Sequence, residues 1–297
     1  MKEKRLRGWL CGILLLLAVL TGVCAWEIYR SYHGLEEQEY TIRSDKVDAP
    51  VTFAVISDLH DHEFGQNNEE LVKKIRNIDP DVILMDGDML NDISEDDHVV
   101  ITLLEQLTGD YPVYYSLGNH EENYMARQKS KRLWKDIQNT GAVLLDQTYK
   151  RVSINGNPIC IGGMYDYAFE VDGAGHMSKK DMDPKTLTFL ETFQNEEEYK
   201  IMMAHRPDSF IFGEAWKTWN IDLVISGHDH GGQVILPRVG GIYGGDQGWL
   251  PKYDYGEFHF DTVKNMIITR GLSSDKKVLP RFHNPPEIVT IHLERAK

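Results

Sequence analysis

Short apolar runs alternate with amphipathic stretches over much of the first half of the chain. Four of these runs are rich in β-branched or aromatic residues and predict buried strands. The stretches between them place apolar residues at helical spacing, as Leu71, Val72 and Ile75 do, and predict helices. The predicted strands are 51–57, 82–85, 113–116 and 142–145, and the predicted helices are 68–77, 99–107 and 124–139. This order is typical of an α/β fold.

The amino terminus has a different pattern, because residues 9–26 are 18 consecutive residues without a charge. A helix that spans the hydrocarbon core needs about 20 such residues, with about 17 as the lower limit. Four basic residues precede the run, so the positive-inside rule places residues 1–8 in the cytoplasm and the body outside. We therefore expect a single-pass cell-membrane protein with an extracytoplasmic body. A cleavable signal peptide, with Val23-Cys24-Ala25 as its cleavage site, is the alternative.

The rest of the chain is read as a stem and one domain. Residues 27–47 are polar and charged and predict a juxtamembrane stem, in which 39–43 predict an edge strand. Because no Pro/Gly/Ser linker divides residues 48–297, we expect one domain there. Two β layers covered by helices, a two-sheet β-sandwich flanked by helices, are the simplest architecture for this order. The further predicted strands are 149–154, 158–162, 200–204, 223–226, 233–236, 257–260, 266–269 and 287–293.

Charge and cysteine content exclude several classes of function. The chain has a net charge of −14, and residues 27–297, with 28 basic and 45 acidic side chains, have −17. Such a body repels a nucleic-acid backbone, so no nucleic-acid partner is expected, and no protein partner is evident. Only Cys160 lies outside the apolar run, which excludes a disulfide within the body and a zinc-thiolate site.

Polar segments rich in histidine and aspartate follow five of the predicted strands. In α/β sheets, ligands gather outside the carboxyl ends of strands, so these segments are expected to meet at one edge. Carboxylates and imidazoles suit divalent cations. In an extended segment, residues i and i+2 point to the same side, which would let both members of each pair face one metal cluster. The segments are Asp58-Leu59-His60, Gly87-Asp88, Gly118-Asn119-His120-Glu121, His205 and Gly227-His228-Asp229-His230.

These five blocks, in this order, resemble the calcineurin-like metallophosphoesterase family, whose pattern is D-x-H, G-D, G-N-H-[DE], H and G-H-x-H. The resemblance covers about residues 48–293. The segment GHDHGGQVILP at 227–237 is similar to the membrane-associated phosphodiesterase branch, which includes enzymes resembling UDP-2,3-diacylglucosamine pyrophosphatases. The resemblance implies hydrolysis of a phosphodiester or pyrophosphate, ahead of a phosphomonoester, by a hydroxide that two metals activate. The substrate would be a small molecule or lipid-linked.

The resemblance also implies a role for each matching residue. One divalent metal would be held by Asp58, His60 and His230, and the other by Asn119, His205 and His228. Asp88 would bridge both metals, and His120 would stand beside the leaving group. The sequence does not distinguish among Mn, Fe, Zn and Mg as the metals.

Four further positions are open at this level. Family members often carry an aspartate three residues after the bridging one, where this chain has Asn91, followed by Asp92. Either could support His120, or neither. Arg206 could bind a substrate phosphate or form an ordinary surface ion pair. Asp229 could raise metal affinity or face solvent, and His62 could line the mouth of the site.

Two other functions also fit the pattern. A non-catalytic metal-binding scaffold of the same fold would keep the cations without activity. A mononuclear metallohydrolase acting on an amide or ester would bind one metal.

Overall fold

A computed structural model describes residues 2–173, 175–274 and 279–296. Residues 1 and 297, the outer limits of the predicted segments 1–8 and 48–297, lie outside the described residues. The helices are α1 (Lys2–His33), α2 (Glu69–Ile78), α3 (His98–Thr108), α4 (Asn119–Gln128), α5 (Arg132–Asn139), α6 (Pro184–Gln194) and α7 (Asp208–Ile211).

The strands are numbered in chain order. They are β1 (Glu36–Ser44), β2 (Val51–Ile56), β3 (Val82–Asp86), β4 (Val113–Ser116), β5 (Val143–Leu145), β6 (Thr148–Ile154), β7 (Asn157–Met164), β8 (Tyr199–Ala204), β9 (Ile221–Ser226), β10 (Ile235–Leu236), β11 (Gly240–Gly241), β12 (Tyr243–Gly244), β13 (Gly248–Trp249), β14 (Gly256–His259), β15 (Val263–Ile268) and β16 (Glu287–Arg295).

Two six-stranded sheets form the centre of the described structure. The first has the order β1-β16-β2-β3-β4-β5 and the second β14-β15-β9-β8-β7-β6. In the first sheet β2 to β5 are parallel, and the second contains the parallel set β15, β9, β8 and β7. Their inner faces share one apolar core, in which Phe53 and Leu84 of the first sheet cluster with Ile201 and Ile225 of the second.

Helices cover the two outer faces. Leu71, Leu103 and Ile137, from α2, α3 and α5, pack in the cluster that covers the first sheet. Phe193 of α6 and Trp219 lie in the cluster that covers the second. The α/β class, with two sheets between helical layers, is therefore confirmed, and so is one amino-terminal apolar helix.

The carboxyl-terminal part of α1 contacts the body. Residues 5–33 are long and apolar enough to cross a membrane, by length and composition. Within the predicted stem 27–47, α1 continues to His33 and β1 then joins the sheet. Here Ile42 is buried in the inter-sheet core, because alternate residues of an edge strand face inward.

Two helices differ from the predicted elements. The single helix predicted at 124–139 is wrong: α4 begins at Asn119 and ends before Lys129, whose φ of 49° breaks the helix, and α5 follows. The helix α6 was not predicted, although Asp183 accepts backbone hydrogen bonds at its start and Pro184 occupies its first position.

Candidate metal centre

The polar segments at the strand ends do meet at one edge of the sheets. Asp58 and His60 follow β2, Asp88 follows β3, and Asn119 and His120 begin α4 directly after β4. His205 follows β8, while His228 and His230 follow β9. The parallel strands β2, β3 and β4 bring their carboxyl ends to one edge of the first sheet, and β8 and β9 do so in the second. Contacts of His205 with Asp58 and Asp88 show that these two edges meet.

Asp88 lies at the centre of the cluster. Its Oδ2 is 3.0 Å from His205 Nε2, 3.8 Å from His120 Nε2 and 4.0 Å from His60 Nε2. Its Oδ1 accepts a hydrogen bond from the backbone N–H of His120 at 2.8 Å. The carboxylate is therefore held in place on one oxygen and faces three imidazoles with the other.

Asp58 occupies a second position in the same cluster. Its Oδ1 lies 3.6 Å from His230 Nδ1, 3.7 Å from His205 Nε2 and 4.0 Å from His60 Nε2. Ser57 Oγ donates to its Oδ2 at 2.8 Å. Three groups have ligand atoms within 4.8 Å of one another and could each hold a cation: Asp58, His60 and His230; His60, Asp88 and His120; and Asp88, His205 and His228.

The backbone reaches these positions through left-handed turns. The φ angles are 56° at Asp58, 50° at His60, 68° at His228 and 48° at His230. The expectation that each pair would converge along extended backbone is therefore wrong. A sharp turn places each pair at the cluster instead. A left-handed conformation at a residue other than glycine strains the backbone, and such strain is common at functional sites.

Two glycines provide the space that this arrangement needs. A Cβ at Gly118 would overlap the Asp88 carboxylate, and a Cβ at Gly227 would overlap the carboxylate of Asp58 and Ser57 Oγ. Side chains at either position would displace a carboxylate of the cluster.

Glu121 fixes the two loops that carry Asp88 and Asn119. The side chain is fully buried. Its Oε2 accepts the backbone N–H groups of Asp88 and Gly118, and its Oε1 accepts the N–H of Met89, each at 2.8 Å. Tyr115 Oη also donates to Oε1, at 2.7 Å. This role was not predicted from the sequence, although Glu121 is the last residue of the G-N-H-[DE] block.

Hydrogen bonds orient the imidazoles of His205 and His60. His205 Nδ1 donates to the carbonyl oxygen of Asp86 at 2.6 Å, which directs Nε2 into the cluster. Asn91 Oδ1 lies 3.1 Å from His60 Nδ1, while the Asn91 amide donates to the His60 carbonyl oxygen. Partners of this kind commonly fix the ring orientation of metal-ligating histidines.

His120 is supported by Asp92 rather than by Asn91. The backbone N–H of Asp92 donates to His120 Nδ1 at 2.9 Å, and the Asp92 carboxylate lies 3.6 Å from the same nitrogen. Since Nδ1 accepts, the neutral ring carries its proton on Nε2, the nitrogen that faces Asp88.

Burial and neighbouring charges set the protonation of the cluster. Burial raises the pKa of Asp58 to about 6, and the charge of Asp88 adds to the rise. Burial alone would raise the pKa of Asp88 too, but the charges of His205, His120 and His60 hold it well below its usual range. Burial also lowers the pKa of both His228 and His230, which keeps these imidazoles neutral and able to ligate.

Several buried ligand atoms have no hydrogen-bond partner among the described residues: Asn119 Oδ1, His228 Nε2 and His230 Nδ1. Buried polar atoms are rarely left unsatisfied, and a bound ion is one explanation of such exceptions. With carboxylate, amide and imidazole donors together, the cluster fits divalent cations.

Arg206 lies beside the cluster with partners of its own. Its Nη1 donates to Tyr167 Oη at 2.9 Å, and its Nε is 3.8 Å from Asp246 Oδ2. The same Asp246 oxygen is 3.8 Å from His228 Nε2. Asp246 was not predicted from the sequence, because it lies in a glycine-rich loop without a motif and only the fold brings it to His228.

Two of the open positions can now be placed. Asp229 does not face solvent: it is buried, and Gln247 Nε2 donates to its Oδ2 at 2.7 Å. His62 lines a cleft that opens beside His60.

Comparisons with known proteins identify the family. A family model described as calcineurin-like phosphoesterase matches residues 51–232. The chain belongs to this family. This phosphoesterase is therefore a hydrolase, and its family uses divalent metals.

Among its relatives, the uncharacterized metallophosphoesterase YkuE of Bacillus subtilis is 26% identical over 99% of both chains. The UDP-2,3-diacylglucosamine pyrophosphatase LpxG of Chlamydia muridarum is 23% identical over 78% of this phosphoesterase and 80% of that protein. A Caenorhabditis elegans relative is 29% identical over 62% of this chain, but the match spans only 37% of that relative's length.

Solved structures show lower similarity. GAP50, the anchor in the inner membrane complex of Plasmodium, has a TM-score of 0.48 and 13% identity, over 82% of this phosphoesterase and 81% of that chain. A 5′-nucleotidase precursor from Thermus thermophilus has a TM-score of 0.45 and 12% identity, over 82% of this chain and 54% of that one.

Proposed function

We propose that this phosphoesterase hydrolyses a phosphodiester or pyrophosphate bond with two divalent cations, and that phosphomonoesters are poorer substrates. The position of Asp88 carries the proposal, because its carboxylate belongs both to a group with His60 and to a group with His205 and His228. The names of two relatives support the bond type: LpxG is a pyrophosphatase, and YaeI of Escherichia coli, 24% identical over 72% of this chain and 70% of that protein, is a phosphodiesterase.

The proposed ligands divide into two sets that share Asp88. The first set is Asp58, His60 and His230, and the second is Asn119, His205 and His228. Two cations in such a site lower the pKa of a coordinated water and neutralise phosphoryl charge. The sets correspond to two of the three groups of mutually close ligand atoms, with the amide of Asn119 added to the second.

His120 is the proposed proton donor. In hydrolysis the oxygen of water bonds to phosphorus, the bond from phosphorus to the leaving oxygen breaks, and the leaving oxygen takes up a proton. The imidazolium form of His120 can supply that proton from Nε2 and is left as a neutral imidazole. Its Nδ1 lies 3.6 Å from the Asp92 carboxylate. Its Nε2 lies 3.8 Å from Asp88 Oδ2, which places the donor at the edge of the cluster.

Arg206 is proposed to bind a phosphate oxygen of the substrate. The guanidinium is held by Tyr167 and lies near Asp246, and its carbon is 5.0 Å from the centre of the Tyr165 ring. These contacts fix its orientation beside His228, which suits contact with a phosphate oxygen.

The location at the membrane is also a proposal. The apolar helix α1, preceded by basic residues, supports a single-pass protein whose amino terminus is cytoplasmic and whose body is extracytoplasmic. A cleaved signal sequence would pass the same test of length and composition. The substrate would then be an envelope phosphoester, either lipid-linked or a small molecule.

The test combines elemental analysis with a phosphoester panel on the purified full-length protein. We expect about two metal ions per chain, and bis-p-nitrophenyl phosphate to be hydrolysed faster than p-nitrophenyl phosphate. Asp88→Asn should lose turnover and bound metal together. The control is Asp222→Asn, which alters a buried carboxylate paired with Lys46 and Lys264 and should keep the metals. Bound metal without turnover would favour a scaffold, and one metal per chain a mononuclear hydrolase.

A further inference from the structure

The last turns of α1 form one wall of a cleft that reaches His60, one of the proposed metal ligands. The cleft has a volume of about 640 Å³, within the range of small-molecule sites. Its polar end contains His60 and Ser274, and its other end contains Ala25, Ile28 and Tyr29. Polarity therefore changes along the cleft, from the candidate catalytic centre towards the apolar helix.

Contacts with the body fix this wall. Ser31 Oγ accepts the backbone N–H of Asn284 at 3.1 Å, and Tyr32 Oη accepts the N–H of Arg281 at 3.0 Å. His283 Nδ1 lies 2.9 Å from a carboxylate oxygen of Glu27. These contacts tie the last two turns of α1 to residues 281–284, so this part of the helix is fixed to the body.

Aromatic rings connect the helix to the mouth of the site. The rings of Trp26 and Tyr29 lie 6.0 Å apart, those of Tyr29 and His33 4.7 Å, and those of His33 and His62 6.1 Å. The uncharged run of α1 ends at Trp26, and tryptophan and tyrosine are enriched where a spanning helix leaves the hydrocarbon core. The apolar end of the cleft thus lies beside the part of α1 where a spanning helix would leave the hydrocarbon core.

The polar end of the cleft has a hydroxyl that can bind the polar part of a ligand. Ser274 is buried, and its Oγ has no hydrogen-bond partner among the residues that the structure describes. A buried hydroxyl is costly unless it is paired, and the polar part of a ligand would supply the partner.

We propose that the segment of α1 from Ala25 to His33 is a substrate-binding wall, and that it holds an aliphatic chain attached to the phosphoester. The phosphate lies at the metal cluster, and the chain runs along Ala25, Ile28 and Tyr29 towards the bilayer. The inference rests on the proposed phosphodiesterase function and adds a residue set that determines which phosphoester is preferred.

The test uses two diesters with the same leaving group, p-nitrophenyl hexadecyl phosphate and p-nitrophenyl methyl phosphate, in the same detergent micelles with the full-length protein. The readout is the ratio of kcat/KM for the long-chain and short-chain substrates. Ala25→Trp fills the apolar end of the cleft and should lower this ratio roughly tenfold. Ala18→Trp adds the same ring to α1 away from the cleft and should leave the ratio unchanged.

The outcomes separate the two proposals. The proposed substrate-binding wall is wrong if the kcat/KM ratio is the same in the parent protein and in Ala25→Trp. It is also wrong if the parent shows no preference for the long chain. If the metal-loaded parent hydrolyses neither diester, the proposed phosphodiesterase function is wrong. The substrate-binding wall, which rests on that function, is then wrong as well. If Ala25→Trp loses its metals, Ile28→Ser compared with Val23→Ser decides, since only Ile28 lines the cleft.

Discussion

The side chain of Asn284 donates a hydrogen bond to the carbonyl oxygen of His230, with Nδ2 2.7 Å from that oxygen. The same amide donates to the carbonyl oxygen of Gln233 at 3.0 Å, and the backbone N–H of Asn284 donates to Ser31 Oγ. His230 has a left-handed backbone, and its carbonyl oxygen also accepts the backbone N–H of Gln233 at 3.1 Å. Asn284 supplies a second, shorter hydrogen bond to this oxygen and places α1 two hydrogen bonds from a proposed metal ligand.

Replacing Asn284 by Ala should weaken metal binding, because the His230 backbone loses the contact that orients its ring. We expect the affinity for the more weakly held cation to fall on the order of 10–100-fold, the usual effect of removing such a partner. Metal titration of the purified protein measures this. Asn265→Ala removes an asparagine that donates to a backbone carbonyl of Asp222 and should leave the affinity unchanged. Equal affinities in both variants would contradict the role.

Replacing Glu121 by Gln should lower both stability and metal affinity. Four donors point at the carboxylate, and a glutamine amide would direct its own N–H groups at two of them. We expect a loss of about 2–3 kcal/mol in the free energy of unfolding. Tyr115→Phe, which removes one of the four donors, should lose about 1 kcal/mol. Thermal unfolding of the metal-free variants provides the comparison, and an equal loss in both would rule out the effect of the amide.

Replacing His120 by Asn should lower kcat while the bound metal stays. Loss of a positioned proton donor typically costs 10²–10⁴-fold in rate. The loss should be larger for an alkyl leaving group than for p-nitrophenolate, which leaves without a proton. His259→Asn, an exposed histidine paired with Asn265, is the control. If metal is lost together with activity, or if both leaving groups are affected alike, His120 is not the proton donor.

Replacing Asp208 by Asn should stabilise the protein at high pH. Burial, together with the charge of Asp246, raises the pKa of Asp208 to about 7 in the folded protein. The unfolded chain binds fewer protons between that value and its own pKa near 3.9, so stability falls as pH rises through this window. At pH 8 we expect the free energy of unfolding of Asp208→Asn to exceed that of the parent by roughly 1–3 kcal/mol. At pH 4 the raised pKa of Asp208 should make no difference between the two proteins. Denaturant unfolding at both pH values measures this, and a stability difference that does not change with pH would contradict the prediction.

The sequence predicted the central strands to within one or two residues, because both faces of these strands are buried. Val82 and Val113 begin runs whose apolar character leaves little choice of structure. The helix break at Lys129 was not predicted, because the neighbouring residues are compatible with a helix. Tertiary contacts, and not the local sequence, determine where α4 ends. The pairing of β1 with β16 joins residues about 250 positions apart, which no local pattern can indicate.

The sequence was sufficient to predict the proposed metal ligands, but not the residues that hold those ligands in place. Asp58, Asp88 and His228 follow strands in a recognisable order, so their convergence could be expected. Asp246 and Asn284 lie in loops without a motif, and their contacts with the cluster exist only once both sheets have formed.

The order of the first sheet also constrains when this protein can fold. The last strand, β16, lies between β1 and β2, which are neighbours in sequence but not in space. The strands β1 and β2 can therefore join one sheet only after residues 287–295 have been synthesised and have left the ribosome. Deletion of residues 287–295 should leave a chain that cannot complete this sheet.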